Sequence, residues 1–299
     1  MRDSRIDRIF NLINNLVLFV LLLLFLYPLY FTIAASISEP FEVAMGNVLF
    51  LPRGFTLDAY RNSFLESSIW QGYATTIFNT IFGTLLNLVL TLPTAYVLSK
   101  KFLKGRSLLS IYFLFTMYFS GGLIPTYLLV NQLNLLNKPY TLILLGGISV
   151  YNMVVTRIYY QISIPEEIYA AARVDGCSNF GQFFRIALPL SAPIIAVMTL
   201  FYSVNRWNDF FNALIYISTA RLYPLQLVLR NILIQSQLVL ARLDPSATDE
   251  EVLALTRRAY LAEAMKYALI FISSAPMLVA YPFVQKHFVK GVMIGSLKG

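Results

Sequence analysis

Six stretches of this chain, each close to 20 residues long and nearly free of charge, alternate with shorter polar segments. An α-helix rises about 1.5 Å per residue, so roughly 20 apolar residues cross the ~30 Å hydrocarbon layer of a bilayer. Within that layer no backbone group can be left unpaired, which restricts a crossing segment of this length to a helix. The stretches lie at about 16–37, 73–98, 108–130, 140–160, 189–208 and 266–284, and each is expected to be a transmembrane helix. A water-soluble domain of 299 residues with 58% hydrophobic and 13% charged residues would expose far too much apolar surface, so the expected fold class is all-α integral membrane, one domain over 1–299.

The charges between the stretches set the orientation. Lys and Arg crowd the amino terminus (Arg2, Arg5, Arg8), the segment Lys100, Lys101, Lys104, Arg106, and the tail Lys286, Lys290, Lys298. With six spans these three groups share one side. The positive-inside rule makes that side cytoplasmic, so both termini are expected in the cytosol, and the short outer loops carry only Arg53, Arg61 and Lys138. The first apolar stretch exceeds the roughly 7–15 residues of a signal-peptide core, so it is expected to be a retained helix. Two segments are too polar to cross: a cytoplasmic loop at 161–188 and a long outer loop at 210–263, whose charges balance and which is expected to fold on the membrane surface.

Several function classes drop out. One cysteine, Cys177, and one histidine, His287, supply neither a disulfide framework nor a metal cluster, so no metal site is expected. His287 has no acid, base or nucleophile at motif spacing, and no catalytic residues are assigned. The net charge of +8 sits between the apolar stretches, which favours membrane orientation over nucleic-acid binding. No G-x-x-x-x-G-K-[ST] occurs; the nearest approach, Gly176 to Gly181, continues with Gln182 and Phe183 and lacks the phosphate-binding lysine. Six spans also suit a secondary transporter, and that reading stays open from composition alone.

The cytoplasmic loop reads SIPEEIYAAARVDGCSNFGQFFRIALPLSAP. Pro165 suits a first helical position, Glu166 and Glu167 face the positive end of the helix dipole, and Ala170, Ala171 and Ala172 favour the helix while leaving a smooth surface. Asp175-Gly176 supplies a stop, because glycine accepts the left-handed conformation in which helices often end. A second helical stretch is expected from Asn179 through Arg185, with Pro189 and Pro193 at the start of the fifth span. The three-alanine face lets another protein approach the backbone closely, so the hairpin reads as a docking plug.

Here the sequence resembles the inner-membrane permeases of ABC importers, whose cytoplasmic signature is EAA, three residues, Gly, nine residues, then I-x-L-P. From Ala172, three residues lead to Gly176 and nine more to Ile186, Leu188 and Pro189. The signature's glutamate position is occupied by Ala170, with Glu166 and Glu167 about one turn earlier. The resemblance covers most of the chain and points to the carbohydrate, maltose-type branch and its complex-oligosaccharide subgroup, through AYVLSKKFLKGR, FSGGLIPTYLLV, RWNDFFNALIYI, PLQLVLR and KGVMIGSLKG.

The resemblance implies the type I importer permease fold in a bacterial cytoplasmic membrane. The loop would be a coupling helix seated in a cytoplasmic ATPase, with Glu166, Glu167, Ala170, Ala171, Ala172, Asp175, Gly176 and Phe180 as coupling residues. It implies a second homologous permease subunit, two cytoplasmic ATP-binding subunits that hold the ATP and Mg, an extracytoplasmic sugar-binding protein and a carbohydrate substrate; a permease for a non-sugar solute is the alternative. The carboxyl tail of maltose-type permeases reaches the ATPase, which points to Gly295, Ser296, Leu297, Lys298 and Gly299.

Polar groups at membrane depth are costly unless they face water or one another, and so mark candidate paths. Asn79, Asn87, Asn152, Asn205, Arg206, Trp207, Asn208 and Asp209 are the candidates, and Trp207 flanked by Asn205, Asn208 and Asp209 combines amides, a carboxylate and an aromatic face, the means by which sugars are bound. The alternative is structural: Arg206 pairs with Asp209 and Trp207 anchors at the headgroups.

Overall fold

The computed structural model describes residues 5–241 and 249–296. Among them every regular element is helical: α1 (Arg5–Ser36), α2 (Pro40–Ala44), α3 (Asp58–Leu65), α4 (Ser67–Ser99), α5 (Arg106–Tyr118), α6 (Leu123–Gln132), α7 (Thr141–Leu144), α8 (Val150–Ser163) and α9 (Glu166–Val174) come first. Then follow α10 (Asn179–Gln182), a π-helical segment (Phe183–Ala187), α11 (Leu188–Leu190), α12 (Ala192–Trp207), α13 (Phe211–Tyr216), α14 (Leu225–Ala241) and α15 (Asp249–Ser296).

Among the described residues three helices are long and apolar enough to cross a bilayer unaided: α1, α4 and the Val252–Val279 part of α15. From Ile6 to Leu26, α1 exposes apolar side chains around its whole circumference, as a helix surrounded by lipid does. On α4 the polarity of a water-soluble helix is reversed. Thr76, Asn79, Thr80, Thr84, Asn87 and Thr91 are buried, while Ile77, Phe78, Ile81, Phe82, Leu85 and Val89 face outward. The helical period gathers the small polar residues into one stripe, and the outward face has the chemistry of hydrocarbon.

Two further crossings are bent. α5 and α6 meet at 110°, at a break that includes Gly122 with φ +85°. The segment Asn179–Leu190 meets α12 at 78°, with Pro189 and Pro193 on either side of the bend. The stretch expected as one helix at 140–160 is split: α7 stops after Leu144, the chain turns irregularly through Gly146 and Gly147, and α8 resumes at Val150. Its 14 residues span about 21 Å, less than a full hydrocarbon layer. α15 begins at Asp249, so much of the carboxyl-terminal half of the expected outer loop is helix.

The described residues form two compact units, one built from those up to Ile69 with Leu229–Ala275, the other from Trp70–Val228 with those after Ala275. In the first, Ala34, Ala35, Val43, Val48 and Ala59 meet Ala264, Met265 and Ala268, small side chains that bring helices together without a hydrophobic driving force. The second holds the polar stripe of α4 and the hairpin after α8.

Candidate functional site

The hairpin is anchored at its root and bare at its tip. Pro165 caps α9 from outside the helix (φ −58°, ψ 140°), one position earlier than its sequence suggested, and Glu166 and Glu167 occupy the first turn. Tyr169 is 2% exposed and joins Leu92, Tyr96, Leu98, Tyr160, Ile164 and Phe183 in one apolar core. The Tyr96 ring centroid lies 6.1 Å from that of Tyr169 and 5.0 Å from that of Phe183, so the last turns of α4 hold both arms of the hairpin. Glu166, Glu167, Ala170, Ala171 and Asp175 are exposed, and Ala172 is partly buried. Gly176 makes the turn with φ +75°, and an added Cβ there would meet nothing within 4 Å. On either side of it Val174 is 88% and Phe180 79% exposed, and the Phe180 and Phe184 rings stack at 16°. Bare aromatic and branched side chains beside three alanines form a surface suited to another protein.

Lys100, just past the end of α4, is 5% exposed. Its ammonium lies 2.9 Å from the Tyr169 ring centroid and 4.9 Å from that of Tyr96, with the Glu166 carboxylate at 3.8 Å. Arg173 Nη1 donates to Glu166 Oε1 at 3.3 Å, so Glu166 joins the first turn of α9 to its last and to Lys100. Burial brings the Lys100 ammonium down to about 8; Glu166 opposes that shift and Arg173 adds to it. Burial also pushes the Tyr169 hydroxyl above its ordinary range, with the tyrosines nearby and Glu166 adding to the shift, so the ring offers a neutral face to the cation.

The membrane-depth candidates do not form one cluster. Trp207 is buried, 6.2 Å from the Tyr73 ring. Asp209 accepts from the Asn212 backbone N–H at 3.2 Å and from its side-chain amide at 3.0 and 2.9 Å, so it caps α13. Asn208 Nδ2 donates to Val204 O at 2.9 Å, Asn205 is exposed, and Asn152 is buried on α8.

Arg206 forms no ion pair with Asp209 among the described residues. Its Nε donates to Asn87 Oδ1 at 3.1 Å, Nη1 to the carbonyls of Leu142 and Leu145 (2.8 Å for the latter), and Nη2 to those of Ile143 at 3.2 Å and Gly146 at 3.3 Å. Asn87 Nδ2 donates to Gly146 O at 2.7 Å and Gly147 O at 2.8 Å. The irregular backbone after α7 is tolerable in a membrane because this arginine and this asparagine satisfy its carbonyls. Gly83 makes room: a Cβ there would stand 2.9 Å from Arg206 Nε. Sequence reading took Asn87 and Arg206 as separate path candidates and missed the clamp they form, since its other acceptors are backbone atoms some 60 positions from Arg206, and it missed Lys100, which is indistinguishable in sequence from its basic neighbours.

Gly295 and Ser296 are the last described residues of α15; Leu297, Lys298 and Gly299 lie outside the described residues.

Residues 68–294 match the family model for the binding-protein-dependent transport system inner membrane component. The chain belongs to this family. As such an inner-membrane component it is a transport subunit, and ATP hydrolysis belongs to a separate subunit. Protein LplC of Bacillus subtilis is 40% identical over 299 residues, covering all of this chain and 98% of the relative. The polygalacturonan/rhamnogalacturonan transport system permease YtcP of the same organism is 36% identical, covering 98% and 99%. A chain from the crystal structure of a bacterial ABC transporter involved in the import of the acidic polysaccharide alginate shares the fold, with TM-score 0.84 and 32% identity over 96% of this chain and 99% of that one. The fold is therefore that of an ABC importer permease.

Proposed function

We propose that this chain is one of two permease subunits of an ATP-driven oligosaccharide importer in a bacterial cytoplasmic membrane, with both termini in the cytosol and α9 as its coupling helix. Six crossings result if the bent pairs α5–α6 and α10–α12, and the broken pair α7–α8, each count as one. A single chain of six helices lines half a pore, which calls for a second permease; two cytoplasmic subunits bind ATP and Mg, and a sugar-binding protein delivers substrate from outside. Closure of the ATPase dimer on ATP draws α9 with it. Tyr169 and Lys100 carry that movement into α4, and the helices turn from inward-facing to outward-facing.

The observation that carries this reading is the hairpin: signature spacing, a buried root at Tyr169, and a bare tip at Val174 and Phe180. Glu166, Glu167, Ala170, Ala171, Ala172, Asp175 and Gly176 form the rest of its coupling surface, with the carboxyl tail as a second ATPase contact. Asn152, Asn205, Asn208 and the neighbouring Trp207 and Asp209 are proposed for the sugar path. Names of two relatives point to acidic glycans, so uronate-containing oligosaccharides are the class to test first.

The test is a pair of single-cysteine chains, Val174→Cys and Phe180→Cys in a Cys177→Ser background, in a complex expressed with its ATPase. Bifunctional cross-linking to the ATPase and ATP-dependent uptake of oligogalacturonate into proteoliposomes are expected. Modification of both cysteines from the outside of intact cells would overturn the orientation and the coupling role together.

A further inference from the structure

The segment between α4 and α5 carries more positive charge than its surroundings neutralise. Arg106, at the start of α5, and Arg157, on α8, line one cavity of about 510 Å³ with Ser107, Ser110 and Ile111. Arg157 Nη1 donates to Ser110 Oγ at 2.9 Å, and among the described residues neither arginine has a carboxylate within ion-pair distance. A second cavity of about 390 Å³ shares Arg106 and adds Lys100 and Lys101, with Glu166 as the acid in its lining. Charged residues at a membrane boundary ordinarily pair with each other or with backbone carbonyls. Two arginines sharing a cavity whose other polar side chains are the hydroxyls of Ser107 and Ser110 leave a place for an anion.

What lies next to the cavity decides which anion. From Ile111 in its lining, α5 continues as an exposed apolar ridge: Leu108 is 72%, Ile111 61% and Phe115 56% exposed, on one face at spacings of three and four. A free phosphate has no use for that ridge, whereas a phospholipid has a head for the arginines and a chain for the leucine, isoleucine and phenylalanine. Basic pockets between membrane helices on the cytoplasmic side bind anionic headgroups in this manner. We infer that the Arg106–Arg157 cavity binds the phosphate of an anionic phospholipid whose acyl chain lies along Leu108, Ile111 and Phe115. The site rests on the bilayer placement proposed above and is independent of the sugar. Because the second cavity reaches Lys100 and Glu166, the headgroup adjoins the root of the hairpin, and anionic lipid steadies the loop from which α9 is held.

The test uses the whole importer in nanodiscs with phosphatidylglycerol that carries a photoreactive group in its acyl chain. Labelling is expected on the peptide covering 106–118, and a phosphatidylcholine analogue should label it far less. Each cation near a membrane surface is worth roughly fivefold in affinity, so Arg106→Gln with Arg157→Gln should reduce the preference for phosphatidylglycerol about 30-fold. Arg106→Gln alone, at a loop end, should reduce it about fivefold, which guards against a double variant that fails to fold. Labelling spread evenly over the lipid-facing helices, or unchanged in the Arg106 variant, overturns the site. Displacement by excess inorganic phosphate also overturns it, because the cavity then holds a free anion. ATPase retention and uptake are scored on the same preparations: loss of both with labelling intact would strike the transport reading and leave the lipid site standing, and the converse would do the reverse.

Discussion

The ammonium of Lys100 stands 2.9 Å from the centre of the Tyr169 ring, so the end of a membrane helix grips the first turns of the exposed hairpin. Glu166 completes the grip but is itself exposed, with 61% of its side chain open to solvent. Removing the lysine therefore leaves no buried unpaired acid behind. A desolvated cation over an aromatic face contributes about 2 kcal/mol, roughly 30-fold in the balance between a held and a loose α9. Lys100→Met should leave thermal stability in detergent unchanged or slightly raised, since a buried cation is replaced by an apolar chain of similar length. Sugar moved per ATP hydrolysed should fall on the order of tenfold. An unchanged transport ratio would remove Lys100 from the coupling path.

The same lysine makes the grip sensitive to alkali. Its folded pKa is about 8, below the ordinary 10.5, because burial outweighs Glu166. Between those two values the unfolded chain binds the proton more readily, so this group makes folding stability rise with pH across that window, and the cost of burying the charge is fully present below about 8. The grip runs the other way, for it needs the charged amine and is lost as pH rises through about 8. The transport ratio should drop from about pH 7 to about pH 9 in the native chain and stay level in Lys100→Arg, whose guanidinium remains charged. Parallel curves for the two would refute the assignment.

Arg206 is a structural residue, and its loss should be felt in folding before transport. Arg206→Met leaves one buried and three part-buried carbonyls without this donor, at up to about 1–3 kcal/mol each, and membrane expression and melting temperature should both fall sharply. Arg206→Lys should restore little, because one compact ammonium cannot span acceptors from Leu142 to Gly146. Gly83→Ala pushes a Cβ into Arg206 Nε and should cost about 1–3 kcal/mol, read as a lower melting temperature with the fold retained.

Gly176 turns the hairpin with φ +75° into open space. A side chain there meets nothing within the chain, and the left-handed backbone costs roughly 1–2 kcal/mol for a non-glycine residue. Gly176→Asp should therefore reach the membrane at normal levels and abolish uptake while ATP hydrolysis continues. Normal uptake in that variant would count against α9 as the coupling element.

Val174 and Phe180 are largely exposed, and Phe180 meets its own chain through the stacked Phe184 ring. Exposed positions of this kind seldom change stability by more than about 0.5 kcal/mol. Val174→Ser with Phe180→Ser should melt like the native chain yet retain much less ATPase through affinity purification. Equal retention would place the docking surface elsewhere.

Much of the fold was legible because lipid imposes long apolar runs, and α1 and α4 show them plainly. The hairpin was legible too, since Pro165, three alanines and Asp175-Gly176 each act on local backbone geometry. The stretch 140–160 was not: its average apolarity hides the break at Gly146-Gly147, and what makes that break tolerable is Arg206, distant in sequence. Asp209 looked like a partner for Arg206, but a cap for α13 through Asn212 leaves no periodic trace. Lys100 sat among basic residues whose shared signal concerns orientation, and only three-dimensional packing separates a caged cation from a solvated one.

The reversed polarity of α4 ties that helix to its residue count more tightly than to its spelling. Exchanging Ile81 or Leu85 for another oily side chain leaves the lipid side as it was. Deleting a single position between Thr80 and Thr84 rotates everything beyond by about 100°, swinging Asn87 and Thr91 into hydrocarbon and parting Thr91 from the Tyr202 hydroxyl it meets at 2.7 Å. The helix can drift in letters along one side for a long time, but it cannot lose its place.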